Sequence, residues 1–182
     1  MKKIISIALI LSMVFCLSSC GKANKKLEIG TTLVVNEIDE VTELELDKEL
    51  VPSDSIPDAY GFIYNTIAPI DFALDDIYEI FGKAKKGVEE AHDIIFHFSN
   101  QKDREYEFRC SIIDEPYPVV SFNDKKAEKS KINGTTVYLF RHGEDDFYAK
   151  FKYDDVYFFT IFKHIDQNAV QTILESICLP HY

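Results

Sequence analysis

The chain has 182 residues, 14 Phe, 10 Tyr, no Trp and a formal net charge of −11. Its length and aromatic content suit one domain with an ordinary hydrophobic core. The acidic balance repels phosphate backbones and anionic headgroups, which argues against nucleic-acid binding and against membrane contact through a basic patch.

Lys2 and Lys3 precede a run from Ile4 to Leu17 broken only by Ser6 and Ser12, which has the length of a signal-peptide core and is too short to span a bilayer. The next residues, Leu17-Ser18-Ser19-Cys20, resemble the bacterial lipobox, in which an aliphatic and two small residues precede a cysteine that receives a diacylglycerol before cleavage. The resemblance implies that residues 1–19 are a lipoprotein signal peptide and that Cys20 carries acyl chains, palmitate among them. Each buried CH₂ of such a chain contributes about 0.8 kcal/mol, and two or more chains make the anchor stable. The expected location is the cell membrane, lipid-anchored and facing the extracytoplasmic side. Loss of the leader removes Lys2 and Lys3 and no acid, taking the formal charge from −11 to −13.

Of four cysteines, Cys16 leaves with the leader and Cys20 is acylated. Cys110 and Cys178 remain, in a compartment that permits disulfides. Both fall in the apolar phase of their elements, so they are expected near each other, either bridged or as two buried thiols.

Residues 20–57 read as a partly structured tether. They carry Lys22, Lys25 and Lys26, an acidic stretch from Glu37 to Glu49, and Pro52 and Pro57. Within it, Leu33 to Val35 and the alternation of Leu44 and Leu46 with Glu43, Glu45 and Asp47 predict short strands. Residues 58–182 are expected to form a single α+β domain, an antiparallel sheet with a C-terminal helix packed on one face and a short N-terminal helix. That first helix is predicted from Ala73 to Phe81, where Leu74, Ile77, Ile80 and Phe81 recur at helical spacing, Asp75 and Asp76 suit the positive end of the helix, and Gly82 can stop it.

From Asp93 the period changes to two. Ile94, Phe96 and Phe98 alternate with Ile95 and His97, and after a turn at Ser99 to Lys102 the residues Tyr106, Phe108, Cys110 and Ile112 alternate with Glu105, Glu107, Arg109 and Ser111. A hairpin with one wet face is predicted. Pro116 and Pro118 bracket a break, and Val119 to Phe122 suits a short edge strand. Thr135 to Phe140 after Asn133-Gly134, then Phe147 to Lys152, then Val156 to Phe162 after Asp154-Asp155 predict a three-stranded antiparallel meander. Asp166 is placed to cap a closing helix whose Val170, Ile173, Leu174 and Ile177 fall on one face, with Pro180 ending it.

Several of these segments together resemble the extracytoplasmic domain of unknown function numbered 4367, found on clostridial lipoproteins and on membrane proteins related to anti-sigma factors. The residues that carry the likeness are Phe72 to Ile77 with Phe81-Gly82 for its first helix, Ile95 to Ser99 with Arg104 to Arg109 for its first hairpin, Ile132 to Val137 for a strand entry, and Asp166 to Ile177 for its closing helix. The chain departs from it at Ala73, where a hydroxyl cap is common, and in a shortened stretch at Lys83 to Asp93. The resemblance implies architecture and brings no activity.

A catalytic or metal site should show reactive side chains at spacings that bring them together. His92 with Glu89, Glu90 and Asp93 is the nearest to a ligand cluster, and its ordinary reading is a solvated acidic loop. His142 to Asp146 is a second acidic knot, in a turn where Gly and Asp serve backbone geometry. Ser-His-Asp triads assemble in space, and nothing in the sequence points to one. No catalytic residue, metal site or cofactor is assigned. In Val156 to Phe162 both faces are apolar, and a strand of that kind needs cover on both sides. Either another part of the chain covers the second face, or Tyr138, Phe140, Tyr148, Tyr157, Phe159 and Ile161 line an apolar binding face. The expected function is a non-enzymatic binding or interaction module, sensory or regulatory by analogy, engaging a protein partner or apolar ligand and no nucleic acid. A lipid or lipoprotein carrier with an apolar groove is the alternative, and a hydrolase comes third.

Overall fold

The computed structural model describes residues 30–43, 48–56, 58–64, 71–82, 91–100, 103–116 and 120–179. The leader, Cys20, Glu89, Glu90 and Pro180 lie outside them, as does the alternation at 44–47, and the side chain of His92 is likewise not described. Twelve strands occur among the described residues: β1 (Thr31–Thr32), β2 (Val35–Glu37), β3 (Thr42–Glu43), β4 (Lys48–Leu50), β5 (Ala73–Gly82), β6 (Ala91–Ser99), β7 (Glu105–Ser111), β8 (Val120–Ser121), β9 (Ser130–Ile132), β10 (Thr135–His142), β11 (Asp146–Tyr153) and β12 (Val156–Lys163). One long helix, α1 (Gln167–Ile177), closes the chain, and a single helical turn stands at Gly61–Tyr64.

Ten strands form one sheet in the order β1-β9-β10-β11-β12-β7-β6-β5-β4, with β2 pairing in parallel on the outer edge of β10; β3 and β8 form a separate ribbon. The fold is therefore mostly antiparallel β, and the expected α+β class with two helices is corrected. Three of the strands in the large sheet come from the stretch expected to be tether: β1 pairs β9, β2 pairs β10 and β4 pairs β5.

The predicted helix at 73–81 is the strand β5. Its register slips between Leu74, opposite Phe98, and Asp76, opposite His97, so Asp75 is an extra bulged residue. Side chains alternate along a strand, and one inserted residue puts positions i and i+3 on the same face. Leu74 and Ile77 thus both reach the main core, while Ile80 is buried outside it. The helical spacing came from a bulge, and long-range pairing with β6 overrode it.

The main core lies on one face of the sheet. It joins Ile94, Phe96, Phe98, Tyr106, Phe108 and Phe158 to the helix residues Val170, Ile173, Leu174 and Ile177, with Tyr60, Ile63 and Phe72 filling the β5–β7 side. Asp166 caps α1 as predicted, its carboxylate accepting from the N–H of Asn168 and of Ala169 at 3.0 and 3.1 Å. The meander also forms as predicted. Asn133 and Gly134 (φ 47° and 85°) and Asp154 and Asp155 (φ 47° and 64°) take left-handed backbone, the conformation a two-residue turn needs to match the sheet's twist.

The face of the β6–β7 hairpin expected to be wet is so only in part, at His97, Glu105 and Glu107. Its other half is covered: Asp93, Ile95, Arg109 and Ser111 are buried, with Arg109 between Ile95 of β6 and Phe159 of β12. Burial pushes the Arg109 guanidinium down to about 10, against the pull of Glu107 and Asp93. On the same face Nε2 of His97, half-buried, stands 3.4 Å from Oε2 of Glu105.

Candidate functional site

On the second face of the central strands, the turn at Asp154-Asp155 fixes a register that sets Lys152 opposite Tyr157, Lys150 opposite Phe159 and Tyr148 opposite Ile161. The β10–β11 register sets Tyr138 opposite Lys150 and Phe140 opposite Tyr148. One face therefore carries an aromatic and aliphatic patch with two lysines set into it.

The six residues named as a binding face do come together, and the structure divides them. Phe140, Tyr148, Phe159 and Ile161 form a small second core, with Ile38, Val41, Phe122, Ala127 and Tyr138 packed against it. Phe122, which follows β8, is the main cover: its ring centroid lies 4.6 Å from Phe140, 5.7 Å from Tyr148 and 6.4 Å from Phe159. Phe140, Tyr148 and Ile161 are thus interior. Tyr138, Tyr157 and Phe159 line a half-open groove of about 960 Å³, walled by Glu115, Pro116, Asp124, Lys125 and Ala127.

Lysines edge this groove, and the aromatic rings hold them. Nζ of Lys150 lies 4.9 Å from the Phe122 ring centre and 5.8 Å from that of Phe159, and Nζ of Lys152 lies 4.6 Å above Tyr157. A cation over a ring face is attracted by the ring quadrupole, by roughly 0.5–1 kcal/mol at exposed sites. Each ammonium also holds a carboxylate of the chain itself, Lys150 that of Asp124 at 2.6 Å and Lys152 that of Asp155 at 3.0 Å. The bond to Asp155 holds the Lys152 ammonium above its ordinary value. Lys125 lines the same groove, as do the acids Glu115 and Asp124. The lysines and Phe122 were not singled out from the sequence.

Cys110 and Cys178 are both free and buried in the main core, so the candidate bridge is not formed. Cys178 bonds Thr135 at the start of β10, whereas Cys110 lies on β7, three strands away. Burial pushes the Cys178 thiol up to about 12 and the Cys110 thiol well above its ordinary range.

Among the described residues no three His, Cys, Asp or Glu side chains gather as metal ligands, and no helix is long and apolar enough to cross a membrane. No family model matches the chain, and no curated protein or solved structure matches it.

Proposed function

We propose that this chain is a lipid-anchored extracytoplasmic binding module, attached to the membrane through Cys20, and that the groove over Tyr138, Tyr157 and Phe159 is its binding surface. The anchoring part rests on the lipobox-like Leu17 to Cys20. The binding part is carried by one observation: aromatic side chains and lysines converge on a half-open groove beside a second, smaller core. Binding sites are concave, largely apolar and carry a few placed polar groups, and this groove has that composition. The reading is non-enzymatic: the two ammoniums set into the groove, Lys150 and Lys152, are each paired with a carboxylate of the chain, Asp124 and Asp155. The likeness to the domain family adds nothing here, since the residues corresponding to its first helix build β5.

The test compares amine labelling of the groove lysines in intact cells and in the purified full chain. Lys125, Lys150 and Lys152 should be protected in cells, while exposed Lys126, outside the groove lining, labels equally in both. Equal labelling of all four would overturn the binding reading. A Cys20→Ala variant recovered in the membrane fraction at the original level would overturn the anchoring one.

A further inference from the structure

We infer that the groove takes an extended acidic peptide segment of a partner protein, one whose carboxylates recur at every second residue. The inference rests on the binding reading above and specifies its occupant. Lys150 and Lys152 are two residues apart on β11 and point to the same face, Lys150 beside Phe159 and Lys152 beside Tyr157. Residues i and i+2 of a strand repeat at roughly 6.7 Å, and an extended peptide laid along β11 presents alternate side chains at the same interval. Its carboxylates meet the two ammoniums in step.

The structure shows that both ammoniums accommodate a carboxylate, because Asp124 and Asp155 already stand against them. Asp155 is almost fully exposed, its side chain 97 % accessible, and Asp124 is 43 % accessible. Both come from turns at the groove's rim and can yield to incoming acids without loss of core packing. The rings beneath the lysines restrict the ammoniums before any ligand arrives, which lowers the ordering cost of binding. Between the acids, the apolar side chains of such a segment face Tyr138 and Tyr157. Charge selects in the same direction. The chain as a whole carries −11, which disfavours an acidic partner away from lysine-edged surfaces; here Lys125, Lys150 and Lys152 outnumber the lining acids Glu115 and Asp124, and Lys129 over Tyr138 and Lys131 on Thr136 extend the edge. A fatty acyl chain suits the site less, since bound small molecules bury most of their surface and this groove is half open.

The experiment uses the full chain in detergent and a fluorescent nine-residue peptide alternating Glu with Leu, read by anisotropy. The alternating peptide should bind, and should bind at least tenfold more tightly than its Gln counterpart and than a peptide of the same composition with its Glu residues in one block. Lys150→Gln and Lys152→Gln should each weaken binding about fivefold or more while thermal unfolding stays cooperative and the chain folded at the assay temperature, and Lys126→Gln should leave binding unchanged. Equal affinity for the Glu and Gln peptides, or unchanged affinity in both lysine variants, would overturn the inference. So would oleate displacing an apolar fluorescent probe from the groove while the peptide fails to bind. If lysine protection in cells persists while the peptide fails, the binding reading stands and the acidic-peptide occupant is wrong; if protection is absent, the binding reading itself falls.

Discussion

Phe159→Ala tests whether the second face of the sheet is a core. Phe159 is 2 % exposed, under Phe122 and beside Arg109. A buried aromatic side chain removes about 150 Å² or more from water, which at about 25 cal/mol per Å² amounts to roughly 4 kcal/mol. Alanine keeps the Cβ, but Phe140 and Tyr148 are too well held to close the gap, and measured Phe→Ala changes in cores run about 3–5 kcal/mol. A loss of about 3–4 kcal/mol is expected. In guanidinium chloride, with a slope of roughly 4 kcal/mol per M, the unfolding midpoint should fall by nearly 1 M. Tyr157→Ala, at a half-buried position on the groove, should cost less than about 1.5 kcal/mol. A Phe159→Ala cost below about 1.5 kcal/mol, equal to that of Tyr157→Ala, would refute the reasoning: the stretch around Phe122 would then not lie on this face.

Two further outcomes follow from the same geometry. Asp166→Ala should lower stability by about 1 kcal/mol in thermal melts, because two N–H groups of the first turn of α1 lose their acceptor, and Asp166→Asn should lose much less. Stability should also fall as pH rises above about 9. Cys178 titrates near 9 when unfolded and is pushed up to about 12 in the fold, so across that window the unfolded chain binds fewer protons than the native one. Each pH unit inside the window costs up to about 1.4 kcal/mol per such group. Buried Tyr60, pushed up to about 12, adds to the loss above pH 10, and Arg109, pushed down to about 10, opposes it there. Comparing Cys178→Ala with the parent at pH 8 and pH 10 isolates the thiol, and an identical pH slope in both would refute the assignment.

The sequence was legible wherever local chemistry and long-range pairing agreed. The Asp166 cap with its apolar stripe, and the Asn133-Gly134 and Asp154-Asp155 turns, are local devices that act whatever surrounds them. β5 was not legible. Leu74 and Ile77 satisfy helical spacing, and the same positions satisfy a strand with one extra residue at Asp75. Only the partner strand β6 decides between them, and the partner is not written into the segment. Arg109 misled for a related reason. It alternates properly with Phe108 and Cys110, but alternation assigns a side chain to a face without saying whether that face is covered.

The candidate site divides along the same line. Its floor could be counted out from the turn: a two-residue loop at Asp154-Asp155 pairs Tyr153 with Val156, so Lys152 must meet Tyr157 and Lys150 must meet Phe159. The lysines were therefore readable as neighbours of the aromatic patch from spacing alone. The cover could not be counted out, because Phe122 and Ala127 sit in an irregular stretch after two prolines whose docking has no period to betray it. The ion pairs show the contrast within single residues. Lys152 pairs with Asp155 three positions on, inside the turn that made the register legible, whereas Lys150 pairs with Asp124 across 26 positions. What closes the groove is the second kind of contact. A face that reads as an open apolar patch in the sequence is thus, in the fold, part core and part groove, with the boundary drawn by the residues whose placement was least local.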